Sequence, residues 1–154
     1  MKITAAWLKE RGACDTERFR KRFPRGVTLS VKNVRATRVA WDWNWLAHEV
    51  FPLAIYNKYA HNYRMAVDTY RRALEPLITF RFAKDDQVYP LFHSGKITLG
   101  EQNRRLEQNY TAFAKARTPL ARTYHKALKE AFIAALEAHA QEQRRASKRR
   151  RPQP

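Results

Sequence analysis

Apolar residues along this chain recur mostly at helical spacing, and start and stop signals separate the periodic stretches. Thr4 can cap a short helix through Trp7 and Leu8, which Gly12 closes. Asp15 predicts the cap of a second helix over 16–23, stopped by Pro24 and Gly26; Phe19 and Phe23 share one of its faces. The stretch 27–40 carries Val27, Leu29, Val31, Val34 and Val39, which suits a short β-branched strand, although Ser30 or Thr28 as a helix cap is preferred. Asp42 is a strong N-cap, and Trp41 before it with Leu46 after it make a hydrophobic staple. Pro52 kinks that helix or begins the next.

From Leu53 the apolar positions recur at Tyr56, Tyr59, Tyr63, Val67, Tyr70, Leu74 and Leu77, a helical period held over several turns. Pro76 is expected to kink or end it, and residues 83–89 read as a polar loop. Thr98 and Glu101 form a capping box that opens a helix with Leu99, Leu106, Tyr110 and Phe113 on one side. Thr118-Pro119 reads as a second start, and Leu120, Tyr124, Leu128, Phe132 and Leu136 follow as the inward stripe. No apolar residue follows Ala146 in the strongly basic terminus. The expected architecture is therefore all-α: a small N-terminal helical segment over 1–50, a three-helix antiparallel core over 51–143, and a disordered basic tail over 144–154.

With 44% apolar residues, including eight Phe, seven Tyr and four Trp, the 154-residue chain has material for a core. Cys14 is its one cysteine, which excludes an intramolecular disulfide, fits a reducing compartment and reads as a small buried residue. No apolar run approaches a membrane span, so the expectation is a cytoplasmic protein of a bacterial host cell with no membrane partner.

Charge changes the picture most. The net charge is +17, and it is uneven: residues 1–40 hold 11 Lys/Arg against 3 acids, residues 41–90 hold 6 against 6, and residues 141–154 hold 6 against 1. A neutral middle flanked by cationic ends concentrates polyanions at the surface.

Trp7-Leu-Lys-Glu10, Ala13-Cys14, Phe19, Phe23-Pro24 and Trp41-Asp-Trp-Asn-Trp-Leu-Ala47 occur in an order that resembles an N-terminal segment of small bacteriophage and prophage proteins, some of which continue into pentapeptide repeats. The likeness covers roughly residues 3–50; this chain is far more basic and nothing after residue 50 looks like such repeats. The segment carries no biochemical role to transfer, so the resemblance implies a phage origin. The stretch from Leu91 to Glu101, with Gly95-Lys-Ile-Thr98 within it, also resembles a short helical motif that ends many bacterial proteins.

Catalysis finds little support. Of His48, His61, His93, His125 and His139, none has a second histidine four residues on, Glu137 and His139 face apart, and Asp85-Asp86 stands without a partner. There is no glycine-rich phosphate loop and no nucleophile elbow. No catalytic residue, metal ligand or cofactor is assigned.

Three basic clusters carry the binding expectation: Arg18, Arg20, Lys21, Arg22 and Arg25; Lys115, Arg122, Lys126 and Lys129, spaced to share one helix face; and Arg144, Arg145, Lys148, Arg149, Arg150 and Arg151. Trp41, Trp43 and Trp45 cannot all lie on one helix face, and Trp43 is the member expected near the surface, where a base could stack on it; Trp45 is placed in the core. The Tyr56, Tyr63, Tyr70 stripe reads as core or a dimer seam, with the oligomeric state left open. The chain reads as a phage or mobile-element accessory protein that binds nucleic acid or a ribonucleoprotein. The alternative is an anti-CRISPR-type inhibitor of a bacterial defence system that covers an acidic surface of a host protein.

Overall fold

The computed structural model describes residues 1–37 and 41–149. The element order is β1 (Lys2–Ile3), α1 (Ala5–Glu10), α2 (Thr16–Arg22), β2 (Val27–Thr28), α3 (Val31–Ala36), α4 (Trp43–Val50), α5 (Leu53–His93) and α6 (Leu99–Arg149). The chain is thus mostly helical, and β1 and β2 add one short antiparallel pair in the register Lys2 to Thr28 and Ile3 to Val27. Both signals in 27–40 operate: Val27 and Thr28 form the strand, and the Ser30 hydroxyl accepts from the Asn33 N–H to start α3.

The short helices begin largely as their caps dictate. The Thr4 hydroxyl accepts from the Trp7 N–H at 3.1 Å, and the Asp42 carboxylate accepts from the Trp45 N–H at 2.9 Å. Asp15 occupies the cap position of α2 in a left-handed conformation, yet its side chain makes no cap bond and pairs with Arg18 at 3.8 Å. At Gly26, with φ of +72°, an added Cβ would stand 2.5 Å from the Ile3 carbonyl oxygen. Only glycine lets this turn lie against β1.

Two long helices replace the expected three. Residues 83–89 are helical, because Arg81 and Asp85 pair at 3.3 Å one turn apart and Val88 lies buried a turn beyond. Lys84, Asp86 and Gln87 lie exposed on the outer face of α5, whereas Asp85 is buried. Pro76 and Pro90 lie inside α5, and Pro119 lies inside α6. Thr118 is not a cap: its hydroxyl donates to the Ala114 carbonyl at 2.8 Å, and that of Thr123 donates to the Pro119 carbonyl at 3.1 Å. The backbone break expected at Thr118-Pro119 is therefore absent. The turn between α5 and α6 closes with Lys96 N–H donating to the Leu91 carbonyl and Gly95 N–H to that of Phe92, the paired bonds of a Schellman ending. The Leu91-to-Glu101 stretch is accordingly a helix end, a turn and the next helix start. The expected loose tail is also corrected in part, since α6 continues to Arg149; residues 150–154 lie outside the described residues.

The chain divides into two compact units, one comprising residues 1–63 and 128–154, the other residues 64–127. In the first, Phe132 is fully buried, with its ring centroid 5.0 Å from Trp43, 5.1 Å from Phe51 and 6.2 Å from Tyr59. Ile3, Leu8, Val34, Leu46, Ile55, Leu128 and Ile133 complete this core. The second unit is a hairpin of the distal part of α5 and the proximal part of α6. Tyr70 stacks on Tyr124, Asp85 accepts from Asn109, and the Arg81 guanidinium lies over Tyr110 and Phe113, pairings that fix the antiparallel sense. Tyr56, Tyr63 and Tyr70 of the tyrosine stripe are half-buried, whereas Tyr59, outside that stripe, is buried in the first unit.

Candidate functional site

The first unit carries a cleft of about 480 Å³ built by the N-terminal elements. Phe19 of α2 and Phe23, the residue that caps its end, lie four positions apart and share one face. Phe19 and Phe23 approach each other at 5.2 Å, and both meet Trp41, at 5.8 and 6.2 Å respectively. These three rings, with Leu8, Trp45 and Leu46, form the apolar wall; Arg18 and Arg22 line the same cleft, together with Asp15, Asp42 and Cys14. A second cavity of about 220 Å³, lined by Val27, Leu29, Val34 and Trp43 among others, shares Phe23 and Trp41 with the first.

Trp41 is the hinge of this arrangement. It lies nearly parallel to Trp43, 11° between planes and 5.8 Å between centroids, and its buried Nε1–H meets no hydrogen-bond partner among the described residues. Leaving a buried donor unmade costs about 1–3 kcal/mol. Trp43 is buried at 4% exposure, not at the surface as its sequence position suggested. The reason is spacing: Trp43, Leu46 and Ala47 fall at i, i+3 and i+4 and form the inward stripe of α4. Trp45 lies off that stripe, half-buried, edge-on to Trp7 at 6.2 Å. Cys14, expected to be buried, is exposed in the turn after α1, where no packed face receives it.

The basic clusters fare differently. Arg18, Arg20, Lys21, Arg22 and Arg25 are all exposed. Arg18 pairs with Asp15 and Arg20 with Glu17, at 3.8 and 2.9 Å, whereas Lys21, Arg22 and Arg25 make no ion pair with a described residue. On α6, Lys115, Arg122 and Lys126 are exposed and likewise unpaired among the described residues. Lys129 departs from that face. Its ammonium donates to the Arg35 and Thr37 carbonyls at 2.7 and 3.1 Å, capping the end of α3 within the first unit. Arg144, Arg145 and Lys148 are exposed on the last turns of α6, Arg149 is the final helical residue, and Arg150 and Arg151 lie outside the described residues.

Sequence reasoning found the basic residues of α2 but missed the cleft beside them. The signal was the Phe19–Phe23 pair, which needed an apolar partner, and Trp41 supplies it from 18 residues further on. Among the described residues, no group of three or more His, Cys, Asp or Glu side chains is placed to hold a metal ion, and no helix is long and apolar enough to cross a membrane. Comparison with known protein families, with curated proteins and with solved structures finds no match to this chain.

Proposed function

We propose that this chain is a phage or mobile-element accessory protein that binds nucleic acid, free or within a ribonucleoprotein, through its basic surfaces and without catalysis. One observation carries the reading. The exposed cations of α2, the turn after it and α6, namely Lys21, Arg22, Arg25, Lys115, Arg122, Lys126, Arg144, Arg145 and Lys148, stand without carboxylate partners among the described residues. A solvated basic face on an ordinary protein is usually interleaved with acids; here 31 Lys and Arg stand against 14 Asp and Glu. Such cations displace the counterions condensed on a phosphate backbone, and this release drives binding without reading sequence.

A second reading, the covering of an acidic host-protein surface by a defence inhibitor, draws on the exposed aromatics of the hairpin unit. Phe80 and Phe82 are 63% and 57% exposed, and such side chains serve as anchors in protein interfaces.

Salt titration separates the two. Binding to duplex DNA is expected to weaken with a slope of about −0.9 in log K against log salt for each phosphate neutralised. Changing Arg149, Arg150 and Arg151 together to Gln is expected to flatten that slope by about 2–3 units and to weaken all sequences alike. Absence of binding at low salt, or tight binding indifferent to salt, rejects the nucleic-acid reading and leaves the protein-surface reading standing.

A further inference from the structure

We infer that the cleft between α2 and Trp41 is a receptor for one unpaired base of a single-stranded nucleic acid, with the adjoining phosphates on Arg18 and Arg22. The inference rests on the nucleic-acid reading and deepens it, naming the strand state recognised and the place where it is recognised. Its basis is a combination that a merely basic surface does not need. The cleft of about 480 Å³ falls in the range that holds one small organic molecule. Phe19, Phe23 and Trp41 line it, and every base offers a flat π-face to such rings. Arg18 and Arg22 line it as well, and Lys21 and Arg25 extend the positive surface along and beyond α2.

Trp41 belongs to the wall of both cavities, its Nε1 is buried, and no described residue accepts its proton. The two arginines and two aspartates of the lining balance, and the net positive charge comes from Lys21 and Arg25 beside it. Asp42 is engaged in capping α4, and Asp15 pairs with Arg18 while Arg22 remains without a carboxylate partner. Positive charge therefore favours an anionic ligand, and the aromatic wall favours a base over the flexible carboxylates of an acidic peptide. A paired base in a duplex is already stacked and cannot enter, so the cleft selects unpaired strands.

Cys14 supplies the test, because it lines the cleft, is exposed and is the one cysteine of the chain. The rate at which N-ethylmaleimide modifies Cys14 in the otherwise unaltered protein is followed against a single-stranded oligonucleotide, a hairpin-capped duplex and an oligoglutamate, with binding of each measured in parallel by fluorescence anisotropy. The single strand is expected to protect Cys14 in step with the fraction bound, and the duplex to bind without protecting it. Phe19→Leu keeps the apolar volume but removes the ring, and is expected to raise the oligonucleotide concentration for half-protection about tenfold. Arg22→Gln, at an exposed side chain with no ion pair, is expected to raise it several-fold with circular dichroism unchanged. Single-strand binding that leaves Cys14 fully reactive overturns the cleft assignment while the general nucleic-acid reading survives. Equal protection by oligoglutamate overturns it in favour of an acidic polypeptide. No binding of either nucleic acid at low salt overturns both readings. A folded Phe19→Leu protein that is protected like the unaltered one also overturns the assignment.

Discussion

The two units of this chain solve the burial problem in opposite ways. The unit formed by residues 1–63 and 128–154 surrounds Phe132 with Trp43, Phe51 and Tyr59, and holds nearly every buried apolar side chain among the described residues. In the hairpin unit, 64–127, Val88 is the one apolar side chain among the described residues that reaches burial, and its companions are polar: Asp85 and Gln102. The cause is layering. Each face of a two-helix hairpin that does not meet the other helix meets water, so its inward stripe stays half-covered; Leu74, Leu77, Leu106 and Phe113 are all at intermediate exposure. The N-terminal helices and strands supply the first unit with a further layer, and the hairpin unit has none of its own.

The largest expected effect comes from attacking that difference directly. Phe132→Ala removes a fully buried ring and is expected to cost about 3–5 kcal/mol in denaturant unfolding. Phe113→Ala, at a half-buried ring under Arg81, is expected to cost about 1 kcal/mol. Amide hydrogen exchange is expected to show the same order, with residues 64–127 opening at lower free energy than those around Phe132. Equal costs for the two substitutions would mean that the hairpin is covered in solution by a partner, a second copy included.

What holds the hairpin unit in register is polar. The Asp85 carboxylate accepts from Asn109 at 2.9 Å and pairs with Arg81 at 3.3 Å, with 9% of the side chain exposed. Asp85→Ala leaves the Asn109 amide without its acceptor and Arg81 without its counter-charge, and is expected to destabilise by about 1–3 kcal/mol. Because the contacts lie wholly within this unit, the loss is expected to appear in exchange of residues 64–127 and to leave the amides packed around Phe132 unchanged. Loss of protection throughout would show that the units unfold together.

The same contrast governs what the sequence reveals. Local signals are legible: Thr4, Ser30, Asp42 and Thr98 cap the helices that their chemistry indicates. Proline and polar composition mislead in the hairpin. Pro76, Pro90 and Pro119 are taken into helices, and the run containing Asp85 is polar because it uses a carboxylate where most helices use an apolar side chain. The basic residues of the candidate site are visible as composition. Lys129 shows the limit of that view, since only tertiary structure reveals that carbonyls of Arg35 and Thr37 occupy it. The cleft is a long-range product, since Phe19, Phe23 and Trp41 come from segments joined by a turn, a strand and a helix.

The smallest expected effect concerns the hairpin's dependence on charge. Glu101, in the first turn of α6, is hydrogen-bonded by Arg105 and paired with Arg104. The Arg105 hydrogen bond, with the charges of both arginines, holds its carboxyl below the ordinary value of 4.5, against a counteracting desolvation. A carboxyl whose pKa is lower folded than unfolded stabilises the fold above its ordinary value, and that contribution disappears as pH falls through the lowered one. The site is solvent-screened, so the contribution is small. Glu101→Gln is therefore expected to lower the melting temperature slightly near pH 7, and the difference from the unaltered protein is expected to shrink as pH is taken below 4.5. Added salt at neutral pH is expected to narrow the same difference, because screening weakens exposed pairs. Exchange at the start of α6 is the sharper readout, since the pairs act on that first turn. A difference that persists unchanged at low pH and high salt would assign the role of Glu101 to helix propensity and local packing, and would remove charge pairing at this turn from the account of how the hairpin is held.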